Sequence, residues 1–272
     1  MADESIESAK RYLDKAEYLV IFAGAGMSAD SGIRTFRGNA GLWTGAAAKN
    51  KNSIDLASYN SLINTPDETW AFYHERREVA QIKEPHQGYY KLLELCENVK
   101  SGKYFIFTSN TDRYFHRAGF SDGKIFECHG NINTMYCINP HCTDGRQHTE
   151  ISGRRKEVTP RCSCGSLMRP NVFMFGDRSF DHEHVTKQKK KWSAFKDSTL
   201  NAKPYVVLEI GVGSVVSTVE DEAWNLSKQA LAVIQINPDK PAPEDTYCPW
   251  ISIELGAKDA IAMTTHSSAK DI

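Results

Sequence analysis

Apolar residues arrive along this chain in two alternating rhythms. Ile6, Tyr12, Leu13 and Ala16 fall at helical spacing among charged residues and predict a helix over 4–16. The next run, Tyr18–Ala23, is an unbroken Tyr-Leu-Val-Ile-Phe-Ala and predicts a buried strand. Such runs return at Tyr104–Thr108, 171–175, Tyr205–Ile210 and Ala232–Ile236. Between them lies a predicted helix over 67–82, opened by Pro66-Asp67, with Trp70, Phe72 and Tyr73 as an aromatic face. A second, over 86–97, carries Tyr89, Leu92, Leu93 and Leu95. Residues 38–66 are rich in Gly, Ala, Asn and Ser and predict a mobile loop with short helices. The lysine run at 187–191 reads as a solvated helix face. No internal repeat or low-complexity tract interrupts the pattern.

Strands alternating with helices imply an α/β fold: a Rossmann-like parallel sheet with helices on both faces. The motifs that follow strands, at Gly24, Ser109-Asn110, Gly211 and Asn237, then gather in the crevice outside the strand ends, where ligands bind. The first of these is Gly24-Ala25-Gly26-Met27-Ser28, a Gly-x-Gly turn into a helix start. Its glycines allow a pyrophosphate to approach, and free N–H groups face the anion. No third glycine follows at the usual interval, so the turn alone does not establish a dinucleotide site.

The 272 residues suit one large domain carrying a smaller insertion. The net charge of −1 provides no global basic field, so neither nucleic acid nor an anionic membrane is expected as a partner. The polar start Met-Ala-Asp-Glu-Ser lacks the character of a signal peptide, and no apolar run reaches membrane-span length. A cytoplasmic protein is expected. Its seven cysteines are then expected reduced, and four of them cluster: Cys137-x4-Cys142, then Cys162-x-Cys164. Four thiolates suit a tetrahedral structural Zn2+ with no open position for catalysis, with His141 and His148 as nearby alternative ligands.

Taken in order, these motifs resemble the sirtuin family over about residues 6–262. Gly32-Ile33-Arg34-Thr35-Phe36-Arg37-Gly38 is similar to the family's Gly-Ile-Pro-x-Phe-Arg loop, with Arg34 where proline is usual. Thr108-Ser109-Asn110-Thr111-Asp112 resembles Thr-Gln-Asn-Ile-Asp, and Arg117-Ala118-Gly119 follows in register. His129-Gly130 precedes the four cysteines. Leu167-Met168-Arg169-Pro170, Phe175-Gly176-Asp177 and Ile236-Asn237 match Leu-x-Arg-Pro, Phe-Gly-Glu and Ile-Asn.

The resemblance implies an NAD-dependent protein-lysine deacylase that consumes NAD and releases nicotinamide and O-acyl-ADP-ribose. It implies that Asp112 holds the nicotinamide carboxamide, Asn110 orders ribose and water, and His129 is the general base. A histidine suits that role because its ordinary pKa of about 6.5 lies near neutrality. The implied NAD-binding set is Gly24, Ala25, Gly26, Ser28, Arg37, Ser109, Asn110, Asp112, Gly211, Gly213, Ser214 and Asn237. Tyr73 and Arg76 resemble the Tyr-x-x-Arg pair with which one sirtuin class binds the carboxylate of succinyl or malonyl lysine. An acylated peptide is expected to add as a strand beside Val172, Phe173 and Phe175 and the Gly213 loop. The implied division is one catalytic domain over 1–272. Its Rossmann-like part covers 1–37, 86–133 and 170–272, with a cofactor loop and helical insertion at 38–85 and a zinc insertion at 134–169.

The chain departs from the family at the nicotinamide end. Ser109 stands for Gln, Arg113 for Gly, Tyr114-Phe115 for Leu-His, and Val212-Gly213 for Thr-Ser. Protein ADP-ribosyl transfer, NAD hydrolysis and a non-catalytic NAD-sensing module are therefore the alternatives.

Overall fold

In the computed structural model, residues 2–35, 53–145, 148–151, 159–200, 203–213 and 217–265 are described. The chain begins with helix α1 (Ala2–Lys15) and strand β1 (Tyr18–Ala23), then α2 (Ser53–Leu56), α3 (Tyr59–Asn64), α4 (Pro66–Ile82) and α5 (Gln87–Glu94). Strand β2 (Tyr104–Thr108), α6 (Tyr114–Arg117), β3 (Ile125–Glu127), β4 (Gly130–Cys137), β5 (Thr149–Glu150) and β6 (Met168–Val172) follow. The remainder is α7 (His182–Phe195), β7 (Tyr205–Ile210), α8 (Ser217–Ser227), β8 (Ala232–Ile236), β9 (Trp250–Ile253) and α9 (Ala257–Thr265). Among the described residues no helix is long and apolar enough to cross a membrane.

Six strands form one parallel sheet in the order β3-β2-β1-β7-β8-β9. The unbroken apolar runs are explained by burial on both faces. In β1, Leu19, Ile21 and Ala23 join the core shared with α1, α5 and α9, while Val20 and Phe22 join the core shared with α7 and α8. Each fully buried residue of this kind contributes about 1.5–3 kcal/mol. The strand order reverses beside β1, and its neighbour there, β7, begins the second half of the sheet. That reversal opens a crevice at the carboxyl ends of β1 and β7.

Three glycines make the crevice floor. A Cβ on Gly24 would stand 2.5 Å from Gly211 O, and one on Gly26 would stand 2.6 Å from Gly211 Cα. Gly211 itself has φ 59°, a conformation that favours glycine. Gly26 N–H donates to Gly211 O at 3.0 Å, and Gly211 N–H donates to Ile236 O at 2.9 Å. The two backbones therefore touch directly, with no side chain between them.

A second sheet, antiparallel in the order β5-β4-β6, packs beside α4. Trp70 Nε1 donates to Met168 O at 3.0 Å and joins α4 to β6. Arg169 on β6 is completely buried, paired with Asp177 through two nitrogens, and surrounded by the rings of Tyr59, Tyr136 and Phe180. This pair explains why the strand lies at Met168–Val172 and not at the expected 171–175. A neutralised Arg169 can enter a buried strand. Phe173 and Phe175 leave the ladder and send their N–H groups to His129 O and Ala57 O, each at 3.0 Å.

The helix expected over 86–97 is regular only to Glu94 and then widens into a π-type turn over 95–99. The short β3 and the polar β4 were not predicted from periodicity. Strand β4 buries Asn131 and Thr134, the latter accepting from Asn171 Nδ2 at 3.0 Å. The lysine run lies on α7, exposed at 187 and 189–191. Replacing Gly211 with Ala forces a left-handed φ and a backbone clash together, so we expect a loss of about 3 kcal/mol or more. Urea denaturation measures it, and an unchanged midpoint would show that the backbones can separate freely.

Candidate active site

A cavity of about 1090 Å³ lies over the strand ends. It brings together nearly every residue singled out from the sequence. Gly24, Ala25, Gly26, Ser28, Ser109, Asn110, Asp112, Gly211, Gly213 and Asn237 line it, with His129. Tyr73, Arg76, Val172, Phe173 and Phe175 line it as well. Arg37 and Ser214 lie outside the described residues.

The centre of the cavity is a closed hydrogen-bond set around Ser28. Its Oγ donates to Asp112 Oδ2 at 2.6 Å and receives Asn110 Nδ2 at 3.2 Å. Tyr89 OH lies 2.8 Å from the same oxygen. A hydroxyl has one proton and two acceptor sites; with the Ser28 proton on Asp112, Tyr89 and Asn110 both donate. Asp112 Oδ1 accepts the Tyr114 N–H at 2.9 Å. Burial raises the Asp112 pKa, opposed by Ser28, the Tyr114 amide, Arg76 and Arg117. The carboxylate is therefore pre-oriented while buried. Tyr89 was counted from the sequence only as an apolar helix position, because nothing in the local pattern shows that its hydroxyl reaches a residue 61 positions away.

The loop is anchored on the sheet. Thr108 Oγ1 donates to Ala23 O at 2.9 Å and accepts the Asn110 N–H at 3.0 Å. Just beyond, Arg113 adopts φ 63°, so the left-handed conformation is kept where the family has glycine.

His129 sits between Cys128 and strand β4, with its ring 5.8 Å from that of Phe173. Burial lowers its pKa to about 4, so the imidazole is neutral at ordinary pH. Its Nε2 is buried and has no hydrogen-bond partner within the protein. A buried nitrogen left open in this way is available to a ligand. On the α4 side, burial pushes the Tyr73 phenol well up, so it is a neutral donor. The Arg76 guanidinium lies 5.5 Å from the Phe72 ring centroid. Tyr73 and Arg76 on α4 and Asp112 in the loop after β2 thus line one cavity.

The four cysteines converge away from this cavity. Their sulfurs lie within 4.8 Å of one another, with Cys137–Cys164 and Cys142–Cys162 at 3.6 Å. Zinc bound at about 2.3 Å to four sulfurs sets separations of about 3.8 Å, so the donor set fits the ion. Gly145 N–H donates to Cys142 Sγ at 3.2 Å, and a Cβ there would stand 2.7 Å from Cys137 Cβ. His148 is not part of the cluster; it stacks on Tyr136 at 4.7 Å and faces Asp181. No group of the described residues places His141 with the sulfurs either.

A parallel sheet with a glycine crevice, a zinc-type four-cysteine module and an Asn-Asp-His constellation on one cavity defines a class of dinucleotide-handling α/β proteins. Comparison narrows it. The family model for the Sir2 family matches residues 24–195, and the chain belongs to this family. A protein of Leptospira interrogans serovar copenhageni named NAD-dependent protein deacylase is 36% identical over 85% of this chain and 85% of its own length. NAD-dependent protein deacylase sirtuin-5, mitochondrial, of Danio rerio is 29% identical over 84% of this chain and 76% of its own. A crystal structure of a Sir2 homolog–NAD complex superposes with a TM-score of 0.74 at 25% identity, covering 95% of this chain and 92% of that one.

With four sulfurs so placed, purified protein should carry about one zinc per chain by atomic absorption, and a strong chelator should lower its melting temperature. Metal-free protein with an unchanged melting curve would remove the structural role.

Proposed function

We propose that this protein is an NAD-dependent protein-lysine deacylase with a preference for acidic acyl groups. The observation that carries it is the convergence of Ser28, Asn110, Asp112 and His129 with Tyr73 and Arg76 on one cavity. The relatives named above support the coarser statement, NAD-dependent deacylation.

When bound, NAD supplies the electrophilic ribose carbon that is freed of nicotinamide and captured by the acyl-lysine oxygen. Asp112, oriented by Ser28 and the Tyr114 amide, accepts from the carboxamide N–H of the nicotinamide. Asn110 orders ribose and water. Neutral His129, with Nε2 open, takes the proton of the ribose hydroxyl in the second step, which leads to O-acyl-ADP-ribose. Gly24, Ala25, Gly26, Gly211 and Gly213 let the backbone approach the pyrophosphate, and Asn237 meets the adenosine. Arg37 and Ser214 belong to the same proposal.

Arg76 and Tyr73 receive the distal carboxylate of a succinyl or malonyl group by a fork of guanidinium donors and one phenol. The peptide adds along 172–175. Main-chain hydrogen bonds of an added strand supply the affinity there. Residues 1–272 act in this reading as one catalytic domain with the divisions given above. A reducing, cytoplasmic setting belongs to the same reading, since zinc thiolates need reduced cysteines.

ADP-ribosyl transfer or NAD hydrolysis is the competing reading. It is favoured by the residue next to Asp112, Arg113, which takes φ 63° and carries a guanidinium where the family has no side chain. Product analysis with NAD and matched acetyl and succinyl peptides separates them. Peptide-dependent nicotinamide release with O-acyl-ADP-ribose supports deacylation; release without a deacylated peptide refutes it.

Two variants sharpen the assignment. His129→Ala should lower deacylation at least about 1,000-fold with the fold retained. The wild-type kcat/KM should stay level down to acidic pH and fall as His129 gains a proton near pH 4. An acid limb at or above the ordinary histidine value would contradict that assignment. Arg76→Met should cut kcat/KM for succinyl peptide about 100-fold and leave acetyl peptide within about threefold. Equal losses on both substrates would remove the carboxylate role.

A further inference from the structure

Strand β7 carries a glutamate in an otherwise apolar Tyr-Val-Val-Leu-Glu-Ile, and its side chain is 2% exposed. Glu209 lies two residues before Gly211, at the floor of the cavity. Its Oε1 accepts Lys240 Nζ at 2.9 Å and Gln235 Nε2 at 3.1 Å. Lys240 Nζ also lies 2.9 Å from Glu220 Oε1 on α8. Gln235 in turn receives Ser252 Oγ at 3.4 Å on β9. A polar chain thus runs from β9 through β8 and β7 to α8.

Burial opposes the charge of Lys240, and the two carboxylates more than restore it. Glu209 is buried while Lys240 and Glu220 are partly exposed, and an ion network anchored on a buried carboxylate gives little stability over apolar residues of the same size, because desolvation offsets the attraction. The chain segment that the network holds points to another role. Asn237, Pro238, Asp239, Lys240 and Pro241 form one wall of the cavity. Asn237 is oriented from both ends: Nδ2 donates to Val212 O, and Oδ1 accepts the Asp239 N–H, each at 3.1 Å. Lys240 ties this wall to a residue within β7 itself, beside the Asn237 bond to Val212 just past the strand.

The geometry points to Lys240, clamped between Glu209 and Glu220, as a positioning residue for the dinucleotide: it fixes the 237–241 wall against the sheet so that Asn237 meets the adenosine end at a set distance. This rests on the reading of the cavity as an NAD site. Removing the clamp loosens the adenosine wall and breaks none of the bonds that hold Asp112.

The test uses the full-length protein. Lys240→Met should raise KM for NAD about tenfold with kcat within about twofold, and weaken ADP-ribose binding by the same factor in calorimetry. Nicotinamide inhibition and the KM for peptide should stay within about twofold. Glu220→Gln keeps the Lys240–Glu209 bond and should give a smaller rise in the same direction. If Lys240→Met alone fails to fold, because Glu209 is left buried and unpaired, Lys240→Met combined with Glu209→Gln replaces it; the amide oxygen introduced there still accepts from Gln235 Nε2. An unchanged NAD KM and ADP-ribose affinity in a folded variant overturns the inference. So does an equal loss of nicotinamide and ADP-ribose affinity, which would mark general loosening. If the wild type turns over no NAD with any peptide, the deacylase reading falls by itself, and ADP-ribose binding still decides the role of Lys240.

Discussion

The structure depends on the direct contact between the backbones of Gly24, Gly26 and Gly211. These residues end the two strands on either side of the sheet's reversal, and no side chain separates them. The contact does two things. It closes the floor between β1 and β7, with N–H groups passing from one strand end to the next. It also leaves Gly24 and Gly26, in the first turn after β1, without side chains, so a ligand can reach the backbone there. A methyl group in this place would wedge apart the sheet and the binding crevice at once. Fold and site share a single constraint.

Above that floor, the site is organised by satisfying buried polar groups. Ser28 uses its one proton and both acceptor sites, so its orientation is decided by its neighbours and not by solvent. Asp112 is held in turn, in spite of burial that works against its charge. His129 is the contrasting case: burial keeps it neutral, and its Nε2 is left open. An oriented acceptor and an unpaired imidazole nitrogen in one cavity suit a ligand, since a purely structural core would have paired that nitrogen. The buried Arg169–Asp177 pair lies below and determines where β6 ends. The segment from Phe173 to Phe175 consequently leaves the ladder and borders the cavity.

Much of this was legible in the chain. Strands β1, β2, β7 and β8 were read at their observed bounds because burial on both faces demands continuous apolar runs. The four cysteines were identified by type and clustering, and the motif order pointed to the family. Other parts were not legible, for local reasons. Strand β4 is polar in sequence because Asn131 and Thr134 are buried with partners from β6 and its own turn. Strand β6 was displaced by three residues because Arg169 reads as polar until Asp177 is beside it. Strand β9, at the sheet edge, is half-exposed on alternate residues and too short for periodicity to detect.

The sequence alone determined the fold class, the strand-end motifs and the kinds of atoms available: thiolates for zinc, a histidine, carboxylates, and an arginine beside a tyrosine. These are properties of residue type and spacing, and one chain suffices to show them. The tertiary structure decided which atoms meet. Tyr89 reaches Ser28 across 61 positions, and Lys240 reaches Glu209 across 31. It also decided the charge states, because burial of His129 and Asp112 depends on the elements packed around them. Contacts between residues distant in sequence, and the dielectric they create, are properties of the packed chain, and no local pattern encodes them.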